Sequence, residues 1–338
     1  MYIENKVIKN YISTWLILMF FIVSIIIAVG GLTRLTDSGL SITEWQLFSG
    51  ILPPLNEKQW KNYFDLYKQI PEFKLQNYAM TLNEFKTIFW WEFIHRFLGR
   101  FIGISFLLPL LFFSFKIGFR KLLNLHIIFI LICFQGFIGW YMVSSGLVDR
   151  IDVNHFRLSI HLLIAFLILS LILWNYFKFR NFTYSGERLN LLIPLIFLIL
   201  IFCQITLGAF VSGLDAGKIY NSWPLMGLSY FPDDNSFSDL FKLTAFSNPS
   251  MVQFMHRNLA YLIFLFYLVI LFLTYRNNLF SFFKTVNVLG LLLFLQIILG
   301  ILTLFSGAQI ILSSMHQISS IFLVSISVYF VYLNSNTS

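Results

Sequence analysis

The chain has 338 residues, of which 58% are hydrophobic, 19% aromatic and only 11% charged, and its mean hydropathy is +0.79. A water-soluble globule carries about 25% charged residues, so that class is excluded, and disorder and nucleic-acid binding go with it. A β-barrel is excluded too, because barrel spans are short and alternating whereas the apolar runs here are long and unbroken.

In chain order, membrane helices are predicted over 13–31, 88–114, 122–143, 157–177, 189–211, 252–274, 284–305 and 309–332, each long enough to cross a bilayer. The first run continues to Val29 without a small-residue cleavage pattern, so it reads as a span and not as a signal peptide. Eight spans place both termini on one side. That side carries Lys6, Lys9, Lys116, Arg120, Lys121, Lys178, Arg180, Arg188, Arg276 and Lys284 against only Glu4 and Glu187, which accounts for the whole formal net charge of +8. By the positive-inside rule both termini are cytoplasmic. Two long connections, 32–87 and 212–251, fall on the outer side; rich in Trp, Pro and Gly, they read as folded lids or binding elements. Cys133 and Cys203 sit inside apolar runs and read as small core residues, not as a disulfide or a metal framework.

The two halves repeat. Gly30, Asp37, Gly39, Trp45 and Pro54 recur 178 residues later as Gly208, Asp215, Gly217, Trp223 and Pro232. At a spacing of 161, His95-Arg96, Leu98, Gln135, Gly139 and Gly146 recur as His256-Arg257, Leu259, Gln296, Gly300 and Gly307. The expected architecture is therefore an all-α polytopic membrane protein built as two tandem, pseudo-symmetric four-helix bundles, residues 1–185 and 186–338, related by an axis along the membrane normal.

Of six histidines, His95, His161, His256 and His316 fall five to eight residues inside the predicted second, fourth, sixth and eighth spans, roughly 7–12 Å below the outer boundary at a rise of about 1.5 Å per residue. Each unit thus holds one intramembrane His pair. Two imidazoles across a bundle suit the axial positions of a haem iron, whose flat ring a bundle interior can enclose. Zinc asks for further ligands close by; copper accepts imidazoles alone, and a purely structural hydrogen-bonding role stays open. His126, whose counterpart is Asn287, reads as interfacial, and His155 as a solvated loop residue.

Glu92 lies three residues before His95, on the same helix face, and its counterpart is Gln253, which cannot ionise. A carboxylate inside a span reads as functional, so the N-terminal half is expected to do chemistry while the other half holds a permanent cofactor. The alternative is a structural ion pair with Arg96 or Arg34. Arg96 and Arg257 are placed either to pair with an anionic substituent such as a haem propionate or to snorkel to the interface. Arg100, one turn deeper than Arg96, suits the bundle interior. Gln135, Gln204 and Gln296 each precede a glycine by four residues, a pattern of close helix packing.

GGLTRLTDSGLSITEW at 30–45, PEFKLQNYAMTLNEFKTIFWWEFIHRFLGR at 71–100, QGFIGWYMVSSGL at 135–147, GLDAGKIYNSWPLMG at 213–227 and VQFMHRNLAY at 252–261 closely resemble haem A synthase. The first loop lacks a cysteine pair, which is similar to the mitochondrial and alphaproteobacterial branch of that family. The resemblance implies an oxidoreductase that converts haem O to haem A by oxidising the C8 methyl to a formyl group for the terminal oxidase. It implies a haem b on His256 and His316 near Arg257, and substrate haem between His95 and His161 near Arg96, with Glu92 as the acidic residue of the family's Glu-x-x-His motif and, with His95 and His161, part of the catalytic set. It also implies a bacterial inner membrane location, contact with membrane lipid, an electron donor or acceptor, and handover from a haem O synthase towards oxidase assembly factors. Rival readings are a two-haem electron-transfer cytochrome and a transporter.

Overall fold

A computed structural model describes residues 5–45, 49–148, 150–182 and 186–335; Glu4, counted above among the inner charges, lies outside them. The helices are α1 (Lys6–Leu35), α2 (Glu57–Tyr67), α3 (Pro71–Leu75), α4 (Leu82–Ile117), α5 (Leu123–Val143), α6 (His155–Arg180), α7 (Leu192–Gly213), α8 (Pro249–Arg276), α9 (Phe280–Phe305) and α10 (Ile310–Ser335). All but α2 and α3 are long and apolar enough to cross a membrane, which gives eight spans. Among the described residues the only β-structure is an isolated bridge, Met226–Ser229.

Several spans run past the apolar stretches that predict them, because polar caps outside those stretches start the helices. Asn5 accepts from Val7 N and Ile8 N ahead of α1, and Asn154 accepts from Phe156 N and Arg157 N ahead of α6. Thr81 and Glu84 form a reciprocal capping box that starts α4 six residues before the predicted 88. Asn248 caps α8, with Pro249 in the first turn where its missing N–H costs nothing. The third predicted span is shortened by a 3₁₀ turn, Phe119–Leu122, and α7 starts at Leu192 instead of 189.

One continuous apolar core holds residues from all eight spans, including Leu16, Phe106, Ile128, Phe166, Phe197, Ile263, Val286 and Val324. In this packing α1 lies against α4 and α6, α7 against α6 and α8, and α10 against α9, α1, α6 and α7. Ties across the middle are polar. Gln317 Nε2 donates to Ile27 O (2.9 Å), and Arg34 Nη2 donates to Ser212 O (3.0 Å). Arg34 also pairs with Asp37 (2.8 Å), Asp152 (3.5 Å) and Asp215 (3.7 Å). Asp37 and Asp215, matched in sequence, both take left-handed backbone (φ 47° and 51°) just past the ends of α1 and α7. Burial raises the Asp37 carboxyl above its ordinary range, with Arg34 opposing. Arg34 is thus spent at the outer junction and is not the partner of Glu92.

Two expectations are corrected. Cys133 and Cys203 are exposed on the outside of the bundle, not in its core; a bilayer accepts apolar side chains on the outer surface as readily as an interior does, and Phe134, Phe137, Ile199 and Phe294 face outward in the same way. His155 is not a solvated loop residue. It opens α6, is 5% exposed, and packs against Phe156, Phe210 and the backbone of Gly213.

The first long connection folds onto the end of α4, as the lid proposed below. Tyr67 at the end of α2 and Ile70, the cap of α3, join Leu40, Ile42, Phe85, Phe89, Phe93 and Val153 in a second apolar cluster at the N-terminal end of α4, with Trp60 edge-on to Phe89. Within the lid, Glu72 is 3% exposed. Burial, aided by the carboxylates of Glu92, Asp152 and Asp37, pushes its carboxyl up to about 8 from an ordinary 4.5. A folded-state value above the unfolded one means that the folded lid holds the proton more tightly, so its stability falls as pH rises between those two values and levels off above them. Limited proteolysis of the 49–81 segment across pH 5–8.5 should show protection declining with pH in the wild type, and Glu72→Gln should flatten that decline; a wild-type profile independent of pH would refute it.

Candidate functional site

The four matched histidines come from four different spans, α4, α6, α8 and α10, and each is seated on a glycine of another span. A Cβ added to Gly30 of α1 would lie 2.8 Å from His95 Cε1; on Gly139 of α5, 3.0 Å from His161 Cε1; on Gly208 of α7, 3.3 Å from His256 Cε1; on Gly300 of α9, 3.1 Å from His316 Cε1. Only a residue without a side chain lets the imidazole edge rest on backbone at that distance. In all four rings Nδ1 is buried and has no hydrogen-bond partner. His126 differs on every count: its Nδ1 is bonded to Leu122 O (2.9 Å) and its Nε2 to Ser114 Oγ (3.1 Å), so its polar atoms are already satisfied.

The His95 and His161 rings have centroids 6.5 Å apart at 66°. Two imidazole–metal bonds of about 2.0–2.1 Å, plus ~1.1 Å from each nitrogen to its ring centre, ask for a separation of ~6.3 Å. The separation of the pair is thus that of two imidazoles sharing one metal ion. Among the described residues there is no cluster of three or more His, Cys, Asp or Glu able to hold an ion, so a tetrahedral zinc site is not built here. Two facing imidazoles, unspent nitrogens and no third protein ligand match the donor set of a haem iron, whose other four positions belong to the macrocycle.

Beside His95, Glu92 is 2% exposed and both its oxygens accept hydrogen bonds. Oε1 accepts from Arg96 Nη2 (2.6 Å) and Nε (3.0 Å), while Oε2 accepts from Ser41 Oγ and Ile42 N (both 2.7 Å). Arg96 continues outward to Ile42 O (2.7 Å) and Glu44 O (3.2 Å), and lies over the Trp45 ring. In the other half Gln253 donates to Ala216 O (2.9 Å) and Tyr220 O (3.2 Å) and accepts from Arg257 Nη2 (3.1 Å). Arg257 also reaches Ser222 O, Leu225 O and Tyr220 O. Each half thus ties the helix that carries its first histidine to the outer connection through a residue three before that histidine and an arginine just after it. One tie contains an ionisable group and the other does not. Arg100 joins Arg96, Ile42, Tyr63 and Phe93 around a small cavity under the lid.

The expected residues Glu92, His95, Arg96 and His161 are brought together in the N-terminal half, and His256 and Arg257 adjoin one another in the C-terminal half, where His316 is seated on Gly300. Ser41, the Ile42 amide and the four glycine seats went unassigned in the sequence reading. Three of the glycines stand in Gln-x-x-x-Gly repeats and Gly30 matches Gly208, but spacing alone does not name the ring that rests on them.

A family model described as "Cytochrome oxidase assembly protein" matches residues 13–328. The chain is 49% identical to the heme A synthase of Pelagibacter ubique over 99% of its own length and 100% of the relative's. It is 44% identical to the heme A synthase of Rickettsia bellii (97% and 99% covered) and 41% identical to that of Rickettsia felis (95% and 97%). By sequence along its whole length, and with eight spans framing paired histidines, the chain belongs to the haem A synthase family of cytochrome oxidase assembly proteins.

Proposed function

We propose that the chain is a haem A synthase of the bacterial inner membrane, oxidising the C8 methyl of haem O to a formyl group. The observation that carries this reading is the glycine-seated histidine pair His95/His161, at a separation suited to a haem iron, with a buried carboxylate, Glu92, one helical turn away. Full-length identity to proteins named heme A synthase supports the same reaction. The ten-to-two excess of basic charge on the loops at the termini side supports cytoplasmic termini, which puts the lid and both His pairs towards the periplasmic half of the bilayer.

In this reading the two tandem four-helix units, 1–185 and 186–338, divide the work. His256 and His316 hold a resident haem b, which when bound supplies one-electron transfer to and from the substrate side. His95 and His161 would hold substrate haem O by its iron and so orient its ring for the reaction. Arg96 and Arg257, each anchored on carbonyls of the outer connections, present guanidinium groups where propionates leave the bundle. The lid over α4 keeps bulk water from the reacting edge. Written with water as the oxygen source, the net change is CH3 + H2O → CHO + 4 H+ + 4 e−: two successive two-electron oxidations, through a hydroxymethyl group to a hydrated aldehyde that loses water, with the electrons passing to an external one-electron acceptor. Glu92 Oε2 takes up a proton released at the methyl carbon, and Ser41 Oγ and the Ile42 amide hold that oxygen in place for it.

Expression with a haem O source, followed by pigment extraction and mass analysis, tests the assignment. Haem A or its hydroxymethyl precursor beside haem b is expected, whereas two haems b per chain and no oxidised product would make the protein an electron-transfer cytochrome. Glu92→Gln keeps the size of the side chain and removes the proton acceptor, so turnover should fall at least ~100-fold while both haems remain bound; full conversion by that variant would remove Glu92 from the chemistry. Gly30→Ala and Gly139→Ala place a methyl at 2.8 and 3.0 Å from His95 and His161, and each should lower haem occupancy of the N-terminal half while haem b stays at wild-type level, read from the pyridine haemochrome spectrum.

A further inference from the structure

Three of the four histidine seats carry a second restraint. Four residues before the glycine, on the same helix face, a glutamine donates Nε2 to the backbone carbonyl of the seated histidine itself: Gln135 to His161 O (2.9 Å), Gln204 to His256 O (3.0 Å) and Gln296 to His316 O (2.9 Å). Glycine below and glutamine one turn away fix both the depth and the rotation of the histidine's helix. At the fourth seat, Gly30 under His95, the residue four before is Ile26. Ile26 and Gln204 occupy matched positions, 178 residues apart, in the two halves. Isoleucine offers no donor to His95 O, and its Cδ1 faces Gly99 of α4 at 3.8 Å from where a Cβ would stand.

His95 is held instead from above, through Glu92 and Arg96 and their bonds to the connection at residues 41–44. His256 has the equivalent bonds from Gln253 and Arg257 and the glutamine clamp as well. His95 is thus the one of the four with no glutamine on its carbonyl: beyond its seat on Gly30 and the bond from Thr33 Oγ1 to Trp91 O (3.3 Å) one turn before it, it is restrained by the connection at residues 41–44, and it stands beside the buried carboxylate.

We propose that His95 is the displaceable axial ligand of the site. It releases the substrate-side haem iron so that haem O can load and product leave, while His161 stays fixed, and Ile26 is the positioning residue that permits this. The proposal rests on the functional reading above. It makes the two halves differ in ligand exchange as well as in proton chemistry.

Carbon monoxide reads this step directly, because a six-coordinate haem iron must shed a histidine before it can bind the gas. The full-length protein, purified in detergent with its haems and reduced, is mixed with carbon monoxide and followed by stopped-flow spectroscopy. One haem should bind and the other stay nearly inert. Ile26→Gln should slow the reactive haem about five- to tenfold, the scale of one net hydrogen bond, with its resting low-spin spectrum unchanged. Gln204→Ile, which keeps the N-terminal half intact, should accelerate binding at the inert haem by a similar factor. Unchanged rates in either variant, with both haems bound and low-spin, would overturn the inference and leave the synthase reading standing. A wild-type protein whose only haem is insensitive to His95→Ala would overturn both.

Discussion

The structure depends on close approach between helices inside a bilayer. Water expels apolar surface in a soluble bundle, but lipid tails give no such push, so spans associate through packing and polar contacts. Four glycines allow one helix of each pair to come within van der Waals reach of an imidazole on the other. The ring fills the gap where a side chain would stand, and the histidine in turn is turned by backbone that cannot move away. Larger residues at Gly30, Gly139, Gly208 or Gly300 would push the spans apart and lose both the packing and the ligand orientation. Helix association and site geometry are one constraint here.

On that shared frame the two halves differ at few places, and two of the differences converge on one histidine. Glu92 stands where the other half has Gln253, and Ile26 stands where it has Gln204. The first exchanges an amide for an ionisable group with no change in shape, and both side chains still brace their arginine and the outer connection. The second removes a hydrogen bond without opening a cavity, since Ile26 packs with the apolar core. Such substitutions leave the glycine seats intact, so the proposed difference in ligand exchange between the halves would need no change in the frame.

Much of this was legible in the sequence because membrane insertion writes itself in long runs and charge bias. The spans, the long outer connections, the four histidines and the Glu92/Gln253 difference all follow from residue type and spacing. What stayed hidden depends on which way a side chain faces, and lipid removes the usual clue. Cys133 and Cys203 sit in runs as apolar as any core, yet face outward. His155 borders a polar stretch and so reads as solvated, but it opens a helix and is covered by Phe156 and Phe210. Arg34 was one of two candidate partners for Glu92; three aspartates at the junction of the halves, two of them far away in sequence, claim it instead. The glutamines were seen as packing residues, and only the fold shows that their acceptors are the histidine carbonyls.

The route by which the outer connection acts on the site follows from where the bonds of Glu92 go. Its two oxygens join α4 through Arg96 to the backbone at Ile42 through two further donors. Movement of the 41–44 stretch therefore changes the surroundings of the carboxylate and the restraint on His95 together. In the proposed synthase, shielding the reacting edge and releasing the product would both draw on these same bonds. A clamp from Gln to His95 would separate them, holding the ligand whatever the lid did. With isoleucine at position 26, the bonds at residues 41–44 bear both on the carboxylate and on the helix turn that carries His95.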